Sequence, residues 1–189
     1  MGLLTALKNL VASPPPADDA EQQFWEDLKP LGEFRWRVLA CVGSFDRGLR
    51  QHFHPSEPSA LPESLRLYLD AVWAREQPTA TGPQFNGLAV VAAGLLTYGR
   101  LEMADYVLAN MPPHPIELDH GCGWCNVLAF RIAATLLPLP AHLRAYMEWF
   151  EGSPTAGEVR SWFTSHRARL RWNNDVEKFE FDGDPGGAA

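Results

Sequence analysis

The chain has 189 residues, of which 46% are apolar and 21% charged, and its formal net charge is −7. This composition is typical of one globular domain, and no apolar run reaches the roughly 20 residues that span a bilayer. The acidic balance argues against nucleic-acid binding, which normally requires a basic excess. Arginine accounts for 13 of the 16 basic residues, a bias that favours a GC-rich bacterial coding sequence.

The segment 1–16 is predicted to be an amphipathic helix followed by a proline-rich linker. Its first half is apolar apart from Thr5 and Lys8, and its second half ends in Pro14, Pro15 and Pro16. Consecutive prolines form a stiff spacer. We therefore expect a helical domain over residues 17–182, with the glycine-rich segment 183–189 as a disordered tail.

Four stretches carry apolar residues at the i, i+3, i+4, i+7 spacing of an amphipathic helix. The stripes are Phe34, Val38, Cys41, Val42, Phe45 and Leu49; Leu65, Tyr68, Leu69, Val72 and Trp73; Leu143, Tyr146, Met147 and Phe150; and Val159, Trp162, Phe163, His166 and Leu170. Pro62 suits the first turn of the second helix. Two further segments, 88–98 and 127–137, are apolar on nearly every side, which predicts buried central helices.

The helices recur in pairs. The turn 98–104 joins one central helix to a second helix that ends before Pro112, and this unit resembles a degenerate tetratricopeptide-type helical hairpin. The resemblance implies stacked helical hairpins, an architecture that commonly binds other proteins. At the C-terminal end, the apolar residues alternate around Asn173-Asn174-Asp175, which indicates a short β-hairpin. The predicted fold is all-α, in one domain of antiparallel helical hairpins.

The sequence His120-Gly-Cys-Gly-Trp-Cys125 is the one local pattern with the spacing of a redox or metal site. A helix N-terminus lowers the pKa of a thiol, which would make Cys122 a nucleophile and Cys125 its resolving partner. All-helical peroxidases of the alkylhydroperoxidase D family also use Cys-x-x-Cys, but they place a histidine four residues after the second cysteine. That position is Ala129 here.

Two other interpretations of the cysteines stay open. His114, His120, Cys122 and Cys125 could together bind zinc through nitrogen and sulfur ligands. Alternatively, Cys125 packs in the core and Cys122 lies at the helix start, the usual fate of free cysteines, and this structural interpretation is the one we favour. An odd count of three cysteines predicts reduced thiols and a cytoplasmic protein.

No phosphate-binding loop, nucleophile elbow or zinc-protease motif occurs in the sequence, so we expect no catalytic residue and no cofactor. The acidic surface instead predicts a non-enzymatic protein that binds a basic protein, such as a bacterial immunity protein that neutralises a toxin. A thiol–disulfide oxidoreductase and a zinc-stabilised interaction domain are the alternatives. The predicted partner-binding residues combine aromatic and acidic side chains, and they are Trp25, Glu26, Asp27, Glu148, Trp149 and Glu151.

Overall fold

The computed structural model describes residues 19–46, 49, 53, 58–77, 86–111, 123–149 and 155–183. The chain divides into two compact units, Met1–Pro30 and Leu31–Ala189, and each is described by itself. The predicted N-terminal helix and linker within 1–16, and the tail beyond Gly183, lie outside the described residues.

Helices dominate the described residues, 76% of which are helical. In chain order the helices are α1 (Asp19–Asp27), α2 (Glu33–Phe45), α3 (Leu61–Glu76), α4 (Asn86–Leu96), α5 (Glu102–Ala109), α6 (Gly123–Leu136), α7 (Ala141–Trp149) and α8 (Ala156–His166). Short 3-10 turns occur at Lys29–Leu31, Pro58–Ala60 and Arg167–Arg169. The all-α prediction is confirmed. Among the described residues, none of these helices combines the length and hydropathy of a transmembrane segment.

Two helices, α4 and α6, form the centre of the Leu31–Ala189 unit, as their uniformly apolar sequences predict. α4 packs against α2, α3, α5 and α6, while α6 also contacts α7. Ten consecutive residues, 88–97, are buried, and Phe130 and Ile132 of α6 have no exposed surface. Each fully buried side chain of this size contributes about 1.5 to 3 kcal/mol. The core is therefore built around these two helices.

Two of the helices, α3 and α8, begin at residues that favour a helix start. Pro62 occupies the first turn of α3, and Thr155 with Glu158 forms a capping box at the start of α8. In that box the Thr155 side chain accepts a bond from the Glu158 amide, and the Glu158 carboxylate accepts one from the Thr155 amide. These signals fix where the outer helices begin.

Helix α2 ends at Phe45, four residues before the predicted end at Leu49. Asp46 adopts an extended backbone with φ −95° and ψ 94°. Its carboxylate accepts a 2.7 Å hydrogen bond from the Tyr68 hydroxyl and pairs with Arg75 at 3.0 Å, so tertiary bonds end the helix. Leu49 is nevertheless buried, as the stripe predicts.

The predicted C-terminal hairpin is present, with strands β1 (Leu170–Asn173) and β2 (Lys178–Phe181). The antiparallel register pairs Leu170 with Phe181 and Trp172 with Phe179. The rings of Trp172 and Phe179 meet edge to face, with centroids 5.0 Å apart. Alternating apolar residues therefore share one face of the hairpin, the pairing that stabilises two-stranded sheets.

Candidate functional site

The Cys-x-x-Cys motif lies at the start of the central helix α6, which begins at Gly123. Cys125, in the first turn, is only 1% exposed and is disulfide-bonded. Cys41 of α2 is a free thiol, half-buried, and burial raises its pKa. The third cysteine, Cys122, lies outside the described residues, as do His114 and His120. The core position predicted for Cys125 is confirmed.

The disulfide changes what this motif can do in the structure. The odd cysteine count led us to expect reduced thiols, but the Cys125 sulfur is oxidised and offers no thiolate for zinc. Among the described residues, no group of three or more histidine, cysteine, aspartate or glutamate side chains is placed to hold a metal ion. The zinc set as a whole stays a prediction for the reduced protein.

The first predicted partner-binding group, Trp25, Glu26 and Asp27, lies at the C-terminal end of α1. Trp25 is half-buried and meets the Phe24 ring edge to face, with centroids 5.2 Å apart. Glu26 and Asp27 are exposed, Glu26 pairing with Lys29 and Asp27 accepting a 2.7 Å hydrogen bond from Gln23. Helix α1 therefore has a half-buried aromatic ring next to two exposed carboxylates in the sequence.

The second predicted group lies at the end of α7. Glu148 and Trp149 belong to this helix, but the structure does not describe their side chains. Glu151 lies outside the described residues. The first group belongs to the unit Met1–Pro30 and the second to the unit Leu31–Ala189. The proposed use of both groups by one partner therefore stays a prediction.

Many of the described arginine and lysine side chains form ion pairs with carboxylates. Asp70 pairs with both Arg66 and Arg100, which also contact Glu63 and Glu102. The Arg66 hydrogen bond holds the pKa of Glu63 below its usual value. Further pairs between described residues are Lys29 with Glu26, Arg35 with Glu177, Arg37 with Glu33, Arg75 with Asp46 and Glu76, Arg167 with Asp105, and Arg171 with Asp182.

A pocket that the sequence did not reveal lies beside Arg35. Its volume is about 230 Å³, and it is formed by the start of α2, the ends of α4 and α6, and the tip of the β-hairpin. We call it the Arg35 pocket; its charged members are Glu33, Arg35, Glu177 and Lys178. Leu31, Phe34, Leu136 and Val176 provide apolar walls. Charged groups from distant parts of the chain therefore meet in one concavity.

Arg35 is held firmly in this pocket. Its side chain is 15% exposed, Nε donates to Thr97 Oγ1 at 3.3 Å, and Nη2 donates to the Thr97 carbonyl at 2.8 Å. The guanidinium lies over the ring of Tyr98, whose pKa burial raises to about 12. The Tyr98 hydroxyl is buried and has no hydrogen-bond partner among the described residues. Two uncharged residues therefore position the guanidinium, Thr97 at one edge and the Tyr98 ring at one face.

A larger groove, of about 560 Å³, follows α3 between Phe53 and Arg75. Its exposed apolar side chain is Leu67, which is 55% exposed. Arg75, the charged residue among its described lining, pairs with Asp46 and Glu76. The groove thus has one charged residue among its described lining residues, whereas the Arg35 pocket has four.

Comparison with known proteins found no matching family model, and no match among curated proteins or solved structures.

Proposed function

We propose that this protein is a non-enzymatic binding protein that occludes a more basic protein, as a bacterial immunity protein occludes a toxin. The observation that carries the proposal is the charge balance, in which acidic side chains outnumber basic ones by seven. Complementary charge raises the rate of encounter and selects the partner. An acidic surface and a stable fold are sufficient for this role.

The ion pairs restrict which acidic side chains can serve this role. The described cations Arg66, Arg75 and Arg100 each contact two carboxylates. Cations that are neutralised within the chain contribute little positive potential at its surface. The same pairs engage five carboxylates, so the negative charge offered to a basic partner has to come from other acidic side chains, such as the exposed Asp27 of α1.

Helix α1 offers the contact group that fits such a partner best. Buried aromatic side chains supply most of the affinity at protein interfaces, and surrounding charges mainly set the association rate. Trp25 is half-buried, and Glu26 and Asp27 are exposed beside it. The proposal assigns Trp25 as the anchor and the two carboxylates as the charged rim.

The experiment is an affinity purification of the tagged protein from its native cells, followed by reconstitution with the purified candidate partner. The proposal expects a one-to-one complex with a protein of higher isoelectric point, and Trp25→Ala should weaken that complex at least about tenfold. Trp36→Ala, which removes a half-buried tryptophan of α2, is the matched control. Equal effects of the two changes would contradict the role of α1.

A thiol–disulfide oxidoreductase is the second candidate, because Cys125 is disulfide-bonded. The chain has three cysteines and Cys41 is free, so this proposal takes Cys122 as the partner. The Cys122 thiolate would attack a substrate disulfide and release one substrate thiol, and Cys125 would then attack the Cys122 sulfur and release the second. Two electrons and two protons pass to the substrate, and the Cys122–Cys125 disulfide forms.

A redox titration in glutathione buffers, with Cys41→Ser as the background, separates the two candidates. A two-electron transition between about −270 and −120 mV would support catalysis, whereas a potential below about −300 mV is typical of a structural disulfide. Zinc measured in the reduced sample tests the interaction-domain alternative. In the binding proposal, Cys122→Ser with Cys125→Ser leaves partner affinity unchanged.

A further inference from the structure

The Arg35 pocket contains a guanidinium that its protein partners do not saturate. Arginine carries five N–H donors. Nε and Nη2 bond to Thr97 and to one oxygen of Glu177, at 2.8 to 3.3 Å. Nη1 donates to none of the described residues, although the side chain is only 15% exposed. A guanidinium fixed on one edge and open on the other is suited to a bidentate carboxylate.

Glu177 contacts this guanidinium in a way that a ligand could replace. One of its oxygens lies 3.2 Å from Nη2, and its side chain is 61% exposed. Its backbone is in the left-handed region, with φ 49°, where asparagine or glycine is the usual residue. The pair is exposed on the Glu177 side, so its net contribution is small. Glu177 can therefore leave Arg35 at little cost.

We propose that the Arg35 pocket binds the carboxylate of a small organic acid, which bonds to Nη1 and Nη2 of Arg35 and displaces the side chain of Glu177. Lys178 adds a second positive charge, and Phe34, Leu136 and Val176 contact the hydrocarbon part.

Size and charge restrict the ligand. A volume of about 230 Å³ is below the range of drug-sized ligands, about 300 to 1,000 Å³, so the ligand has few heavy atoms. Glu33 also lines the pocket, and its carboxylate disfavours a phosphate dianion or a dicarboxylate. A branched aliphatic monocarboxylate satisfies both conditions. The residues of this site all belong to the unit Leu31–Ala189, whereas the partner-binding group on α1 belongs to the unit Met1–Pro30.

Isothermal titration calorimetry with isovalerate, in low-chloride buffer, tests the proposal on the full chain. Isovaleramide is the matched control, because it keeps the shape and removes the charge. The proposal expects isovalerate to bind and isovaleramide not to bind. Equal binding of the two compounds, or no binding of either, would overturn it.

Variants of the two charged residues give opposite expectations. Glu177→Gln removes the internal competitor and should tighten isovalerate binding about two- to fivefold, the range of an exposed ion pair. Arg35→Lys should weaken it at least about tenfold, since the bidentate geometry is lost. If Arg35→Lys does not fold, Lys178→Gln, an exposed position, should weaken binding measurably. Binding that Glu177→Gln weakens, or that Lys178→Gln leaves unchanged, would contradict the proposed geometry.

Discussion

The guanidinium of Arg35 lies over the ring of Tyr98, with its carbon 4.5 Å from the ring centroid. The same side chain bonds to Thr97, just beyond the end of α4, and to Glu177 at the tip of the hairpin. One residue of α2 therefore ties together the central helix and the C-terminal hairpin. A cation beside the last carbonyls of a helix also interacts favourably with the helix dipole.

This arrangement predicts that Arg35→Leu lowers the free energy of unfolding by about 2 kcal/mol, since the Thr97 carbonyl loses a charged donor. Arg37→Leu is the control. Arg37 is half-exposed, and its one ion pair among the described residues is with Glu33 on its own helix, an interaction of about 0.3 to 0.5 kcal/mol. Urea unfolding followed by tryptophan fluorescence measures both. Similar losses in the two variants would show that Arg35 has no special structural role.

Alanine should be tolerated less well at Gly99, between α4 and α5, than at Gly32. Gly99 has φ +79°, and a Cβ there would lie 2.7 Å from Cγ of Trp172. Gly32 has φ +84°, but a Cβ there would meet no described atom within 4 Å. Gly32 combines φ 84° with ψ 164°, a conformation that essentially only glycine adopts, so Gly32→Ala should cost this backbone strain alone, about 1 to 3 kcal/mol. Gly99→Ala should cost about 1 to 3 kcal/mol more, because Trp172 must move. Thermal unfolding compares the two, and equal melting temperatures would refute the close contact.

Alkaline pH tests the burial of Tyr98. Its pKa is raised to about 12 by burial, whereas an unfolded tyrosine loses its proton near pH 10. Stability from this group is complete below about pH 10 and is lost as the pH rises toward 12, by about 1.4 kcal/mol per pH unit. Tyr98→Phe should remove this contribution to stability. Between about pH 10 and pH 12, the urea midpoint of the variant should therefore fall less than that of the wild type. Parallel declines in the two proteins would contradict it.

We expect charged substitutions in the central helices α4 and α6 to destabilise the protein most. Ala92 and Ala133 are fully buried, so Ala92→Asp or Ala133→Asp places an unpaired carboxylate in the core and should abolish soluble expression. Ala74→Asp, on an exposed position of α3, is the control and should express normally. Soluble yield and far-UV circular dichroism give the result. Soluble, helical protein from either core variant would refute the assigned core.

The parts of the fold that local periodicity encodes could be predicted from the sequence. Segment 88–98 is apolar on nearly every side, so it had to be central, and the alternation of Leu170, Trp172, Phe179 and Phe181 predicted the hairpin, whereas its register comes from the structure. The end of α2 was misjudged because Asp46 leaves the helix to bond with residues of α3. Periodicity contains no information about such tertiary bonds.

The Arg35 pocket could not be predicted for the same reason. Arg35 is 62 residues from Thr97 and 142 from Glu177, so no local motif links them. The left-handed backbone of Glu177 is seen only in the structure, so it gave no signal in advance. Conversely, the Cys-x-x-Cys motif was visible at once, yet its function depends on chemistry that spacing does not reveal.

The most direct test of the proposed function is the association rate of the complex with its partner, measured by stopped-flow fluorescence across a range of salt concentrations. Glu26→Gln with Asp27→Asn is compared with Glu102→Gln and Asp105→Asn, which removes two other exposed carboxylates. The proposal predicts a wild-type rate that falls as salt rises, and a larger reduction for the α1 variant than for the control. A rate that is independent of salt and equal in all three proteins would contradict it.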